Sequence, residues 1–227
     1  MSGLIEVTGP TIEPISRIEA REHLRLDDDV DDSQVRAYIT AARQWAENYT
    51  GRVFITRTLR QMLDANPFPQ LHSLMEGRSV GHQNQLVGAN GPIEIAAVPV
   101  ISVTSIKYYD DADTETTWAT SNYYVDSASD VAKIVLRDGG SWPTDLRAAN
   151  GLEINFTAGY GSSPSNVPEP IRLAILQYMT FLYEHRGDME AATPQPPAVL
   201  HSLLNSYKVM RFGGANPYGR MLRTGIG

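Results

Sequence analysis

The stretch 156-FTAGYGSSPSNVPEPIRLAI-175 decides how this chain is read. Leu152, Ile154, Phe156 and Ala158 alternate in the manner of a strand, glycines follow at 159 and 161, and a helix is expected to open at Glu169 or Pro170. Pro170 suits a first helical turn, where its missing N–H would be unpaired anyway. The glycines invite comparison with a phosphate-cradling turn. A Walker loop, however, ends in Gly-Lys-Ser/Thr, and residues 159–170 contain no lysine or arginine. A dinucleotide fingerprint needs a third glycine where Val167-Pro-Glu-Pro170 stands, and Glu169 at the helix mouth repels an anion. The expected role is a tight corner between strand and helix, with glycine supplying positive φ.

Outward from this corner, the helix after Glu169 carries Ile171, Ala174, Ile175, Tyr178, Met179 and Leu182 on one stripe. Leu173, Leu176, Phe181 and Tyr183 widen the apolar surface to most of the circumference, which is the pattern of a central helix or one facing another subunit. These four are the candidate oligomer-interface residues. Upstream, Val35, Tyr38, Ile39, Ala42, Trp45, Ala46 and Tyr49 recur at three- and four-residue spacing and predict a long amphipathic helix closed by Gly51. Ser16 and Glu19 fit a capping box with Ile15 as staple, so a short helix to about Arg25 is expected. The acids 27, 28, 29, 31 and 32 suit the N-terminus of the next helix; the glycine and final Glu of an EF-hand are missing.

Between Val53 and Tyr160 short β-rich runs predict strands at 53–63, 93–97, 101–109, 122–126, 131–136 and 152–158, with hairpin turns at Asp110–Asp113 and Ser127–Asp130. Residues 68–91 read as a long surface loop, and His72 and His82 within it lack a matching ligand set. The organisation is thus α+β: N-terminal helices in 1–52, an inserted antiparallel β-sheet or sandwich domain in 53–160, a central helix in 161–190 completing a small helical bundle, and a short helix plus extended C-terminal tail in 191–227.

Composition narrows the function. There are no cysteines among 227 residues, which excludes disulfides, thiolate zinc sites and thiol catalysis. No apolar run approaches the ~20 residues of a membrane span and the start lacks a signal-peptide pattern, so synthesis in the cytoplasm is expected. No Gly-x-Ser-x-Gly elbow occurs, and the histidines at 23, 72, 82, 185 and 201 have no evident nucleophile or acid partner. No catalytic, cofactor or metal site is predicted. Charge is segregated: residues 191–227 hold Lys208, Arg211, Arg220 and Arg223 with no acid (+4), while the first 190 hold the other 15 basic and all 26 acidic side chains (−11).

The order and wording of five segments resemble the head–tail connector (adaptor, head-completion) proteins of long-tailed bacteriophages and gene transfer agents. They are AARQWAENYTGRVFITRTL (41–59), VPVISVTSIKYYD (98–110), SWP (141–143), INFTAGYG with VPEPIRLAILQYMTFLYEHRG (154–187), and SLLNSYKVMRF (202–212). The loop 68–91 is longer than the family pattern. The resemblance implies a non-enzymatic virion protein of the neck, a ring, commonly dodecameric, between the portal above and a stopper or tail-completion protein below. DNA would pass through its lumen without specific binding, which suits an acidic body. It further implies that the C-terminal segment binds the portal, a role carried onto Tyr207, Lys208, Arg211 and Phe212, and onto Tyr218, Arg220, Met221, Leu222 and Arg223. A DNA-binding packaging accessory, or a tail-associated hydrolase, is the alternative.

Overall fold

The computed structural model describes residues 3–26, 32–64, 91–186 and 196–209. The chain divides into two compact units; among described residues, one comprises 3–9 and 57–158, the other 10–56 and 159–209. The class is α+β, as the sequence predicts.

The helical unit is built from α1 (Arg17–Leu24), α2 (Asp32–Thr50), α3 (Glu169–Glu184) and α4 (Ala198–Asn205). Its core takes the predicted stripes: Val35, Ile39, Ala42 and Ala46 of α2 meet Ile171, Ala174, Ile175 and Met179 of α3, with Leu200 and Leu204 of α4. Gly51 closes α2 at φ 72°, its N–H donating to the Glu47 carbonyl at 2.8 Å. Glycine takes this left-handed geometry at little cost.

Inside the α2 face lies a feature the apolar stripe does not announce. Arg43 and Glu47 are buried, and the guanidinium donates to Glu47 (Nη1 to Oε2, 2.8 Å) and to Glu13 (Nε to Oε2, 2.6 Å). Glu13 also accepts from Thr40 at 2.9 Å, and the second oxygen of Glu47 accepts from the Phe54 backbone N–H at 2.9 Å. The cluster ties together the segment before α1, the middle of α2 and the segment after it. The capping box at α1 is half made: Ser16 accepts from the Glu19 N–H, but the Glu19 carboxylate turns to Arg172 of α3 at 2.7 Å. A charge-assisted bond to a guanidinium outcompetes a neutral amide.

The corner of 156–175 is structural. Gly159 sits at φ 136°, and a Cβ there would lie 2.6 Å from the Thr56 nitrogen; at Gly161 it would meet the Asn166 side chain at 2.3 Å. The amides are spent internally, Tyr160 N–H on the Phe54 carbonyl (3.0 Å) and Ser163 N–H on Asn166 Oδ1 (3.0 Å). No cradle of free N–H groups is left there for a phosphate.

The β unit holds two antiparallel sheets, one of five strands ordered β1-β2-β8-β4-β5 and one ordered β3-β7-β6. The strands are β1 (Gly3–Thr8), β2 (Arg57–Leu63), β3 (Ile93–Glu94), β4 (Val100–Tyr109), β5 (Glu115–Thr117), β6 (Tyr123–Asp126), β7 (Lys133–Leu136) and β8 (Leu152–Ala158). Both predicted hairpin turns are found, between β4 and β5 and between β6 and β7. Leu59 of β2, Ile106 of β4 and Ile154 and Phe156 of β8 fill the core, and buried Gln61 links the sheets by accepting from Ala96 N–H (2.9 Å) and donating to the Glu94 carbonyl (3.3 Å).

Three expectations need correction. Residues 3–8, assigned to an N-terminal helical segment, form edge strand β1 on β2. Residues 53–56 are not strand: Phe54 and Ile55 are buried in the helical core, and Ile55 makes one isolated parallel bridge to Gly161. The short β5 was missed because Glu115–Thr117 is wholly exposed and has no apolar face to alternate. The loop 68–91 lies outside the described residues except for Gly91.

Removing Arg43 leaves two carboxylates facing each other in a buried place. Arg43→Ala is expected to destabilise the fold by about 3–5 kcal/mol, read as a lowered urea midpoint.

Candidate assembly surfaces

In the helical unit, aromatic side chains from three helices form a connected seam. Trp45 of α2 packs on Tyr178 of α3 (centroids 4.4 Å) and on Tyr49 (5.7 Å), and His201 of α4 lies 4.8 Å from Tyr49. Burial pushes the Tyr178 phenol above its ordinary pKa. Phe181 stacks between Tyr178 (6.2 Å) and His185 (4.3 Å), and Tyr183 meets the edge of Tyr38 at 6.0 Å with Arg186 over its ring at 4.2 Å.

Of the four candidate interface residues on α3, the structure therefore engages three within the subunit. Leu176 packs at the margin of the core, and Phe181 and Tyr183 belong to the aromatic seam. Leu173 is 42% exposed and stands outside the core.

At the end of α4 the chain turns back onto the end of α2. Asn205 accepts from the Tyr49 hydroxyl at 2.6 Å, the Tyr207 carbonyl accepts from Arg52 Nε at 2.6 Å, and Val209 N–H donates to the Thr50 carbonyl at 2.8 Å. The Lys208 ammonium lies 5.0 Å above the Tyr49 ring. Of the predicted portal-binding residues, Tyr207 and Lys208 thus make contacts within their own subunit. Arg211, Phe212, Tyr218, Arg220, Met221, Leu222 and Arg223 lie outside the described residues.

In the β unit, a polar row crosses one face of the five-stranded sheet. Glu153 of β8, with only 4% of its side chain exposed, pairs with Arg60 of β2 (3.3 Å) and accepts from Asn155 (2.7 Å). The Tyr109 phenol of β4 lies within hydrogen-bonding reach of both Glu153 (2.9 Å) and Glu115 of β5 (3.0 Å), and Glu115 also binds Lys107 at 2.6 Å. The hydrogen bond from Lys107 holds the Glu115 carboxyl below its usual range, while burial, reinforced by the two carboxylates, raises Tyr109 to about 12. Two cations and two carboxylates make the row self-neutralising.

The same economy holds elsewhere. Asp32 binds Arg17 and Arg36, and the Arg17 bond lowers its pKa; Arg57 pairs with Glu6 (2.6 Å), Arg147 with Asp113 (2.9 Å), and Arg172 with Glu19 and Glu169. Cations committed in this way release few counterions to a passing phosphate backbone. Among the described residues no group of three or more His, Asp or Glu is placed to hold a metal, and no helix is long and apolar enough to cross a membrane.

Comparison with known proteins follows this geometry. Residues 18–76 match the model of the phage gp6-like head–tail connector protein family. No curated protein shows significant similarity. Among solved structures, the fold is similar to a chain in the virion of a native gene transfer agent particle, with TM-score 0.68 and 25% identity over 94% of this chain and 99% of that one. It is also similar to a chain in the neck of an empty particle computed with C6 symmetry (TM-score 0.67, 27% identity, 94% and 99%). A chain in the neck of a native particle computed with C12 symmetry matches at TM-score 0.64 and 25% identity over the same shares. These likenesses bear out the sequence resemblance to head–tail connectors and the structural connector role that it implies. Nothing in them favours a packaging accessory or a hydrolase.

The Tyr109 bonds generate a pH prediction. A phenol whose pKa rises on folding contributes stability that is complete below its unfolded pKa of about 10 and is lost as pH climbs through the folded value. Unfolding midpoints are expected to fall between pH ~10 and about 12, and to fall less in Tyr109→Phe, with phenolate absorbance reporting the ionisation.

Proposed function

We propose that this chain is a non-enzymatic neck component that assembles as a ring, twelvefold by analogy with the C12 neck, beneath the portal of a phage-like particle. The observation that carries this reading is the likeness to neck chains of gene transfer agents across 94% of the sequence. The portal lies above the ring, a stopper or tail-completion protein docks below, and DNA passes through the lumen. The acidic balance of the first 190 residues, with so many described cations already paired, supports passage without grip.

Two surfaces are assigned to assembly. The basic, acid-free C-terminal segment docks on the portal, its arginines and apolar side chains ordering as they bind. The exposed side of α3 around Leu173 meets the neighbouring copy, since a closed cyclic ring is made by joining two different patches of the same subunit.

Deletion of 213–227 is expected to abolish co-sedimentation with portal rings; undiminished co-sedimentation overturns the docking assignment. Leu173→Asp is expected to leave subunit stability within about 0.5 kcal/mol, as exposed substitutions do, while blocking ring formation on the portal. Native mass spectrometry of the portal-bound assembly reads the difference.

A further inference from the structure

The contacts that fold residues 205–209 onto α2 occupy an odd place for contacts of mere stability. They lie at the root of the segment that, in the reading above, reaches the portal. Three independent bonds converge there: Arg52 Nε to the Tyr207 carbonyl (2.6 Å), Val209 N–H to the Thr50 carbonyl (2.8 Å), and Tyr49 hydroxyl to Asn205 Oδ1 (2.6 Å). The acceptor at Thr50 is one of the carbonyls left open at the end of α2, so the returning chain supplies a partner that a helix terminus needs. Gly51 makes room for it: a Cβ built there lies 3.6 Å from the Val209 side chain, and its left-handed φ turns the backbone out of the way. Thr50 is held in turn, its hydroxyl donating to the Ala46 carbonyl at 2.8 Å and accepting from the Arg52 N–H at 3.3 Å.

We infer that Arg52, with Thr50 and Gly51, is a positioning clamp that fixes the point and direction at which the C-terminal segment leaves the subunit. The inference rests on the portal-docking reading and adds to it a residue that touches no portal group itself. A segment launched from a fixed root searches a small volume, so its effective concentration at a groove on the next ring is high. Released from Arg52, the same segment becomes a longer tether and loses orientation before it binds, and that cost falls on affinity.

The absence of native cysteine makes the test direct. A spin label on Met210→Cys in the full chain reports the root, and binding of the same proteins to purified portal rings reports function. With Arg52 intact, the label is expected to show restricted motion and binding to be tight. Arg52→Ala is expected to free the label and weaken portal binding about tenfold, the value of one hydrogen bond to a charged donor, with the unfolding transition retained. Arg52→Lys, which keeps a cationic donor, restores most of both. Should Arg52→Ala prove unstable, six Gly/Ser residues inserted after Val209 leave the clamp whole and still cost affinity. A label equally mobile with and without Arg52 overturns the clamp, as does unchanged affinity in Arg52→Ala and the insertion while deletion of 213–227 abolishes binding. If that deletion leaves binding intact, the docking reading falls, and the label alone judges whether Arg52 holds the root.

Discussion

The guanidinium of Arg43, closed between Glu13 and Glu47, is the constraint on which the helical unit depends. Only 5% of its side chain is exposed, and an ion held that deep is tolerable only when its hydrogen bonds are met. Each partner brings a different stretch of chain: Glu13 fixes the lead into α1, and Glu47 receives the Phe54 amide just after α2 ends. Phe54 is thereby seated in the core, and its carbonyl receives the Tyr160 amide where the chain returns from the β unit. A long insertion between residues 56 and 159 is in this way anchored at both ends within the helical unit.

Electrostatics connects this fold to its work. Ion pairs do little for stability when exposed, and most of those here are at least partly exposed. Their consequence is different: they consume the cations of the body. Arg60, Lys107, Arg147 and Arg172 each face a carboxylate, whereas the segment after residue 209 carries Arg211, Arg220 and Arg223 with no acid near them in sequence. A surface that ignores phosphates and an end that seeks an anionic or apolar groove are the two properties a conduit subunit needs.

Much of this was legible before any coordinates. The stripes of α2 and α3 are periodic enough to name their core residues, and the lack of any cation near Gly159 and Gly161 rules out a phosphate loop. What escaped has a common cause. Arg43 and Glu47 sit beside Ala42 and Ala46, so their i,i+4 spacing is the one signal that a charged pair faces inward, and hydrophobic periodicity does not score it. Residues 3–8 have Leu4 and Ile5 adjacent, which blurs the alternation of β1. The clamp at Arg52 pairs residues about 155 positions apart through a backbone carbonyl, and a side-chain pattern carries no trace of such a bond. Among the interface candidates, only burial separates Leu173 from Leu176.

The central claim is that an inert, acidic body is joined to a segment that reaches another protein. An electron cryomicroscopy reconstruction of a complete particle containing this chain tests it most directly. The account predicts a ring of this fold coaxial with the portal, with residues after Val209 in density against portal subunits. Density showing that segment packed on its own subunit, or a neck without this chain, contradicts it.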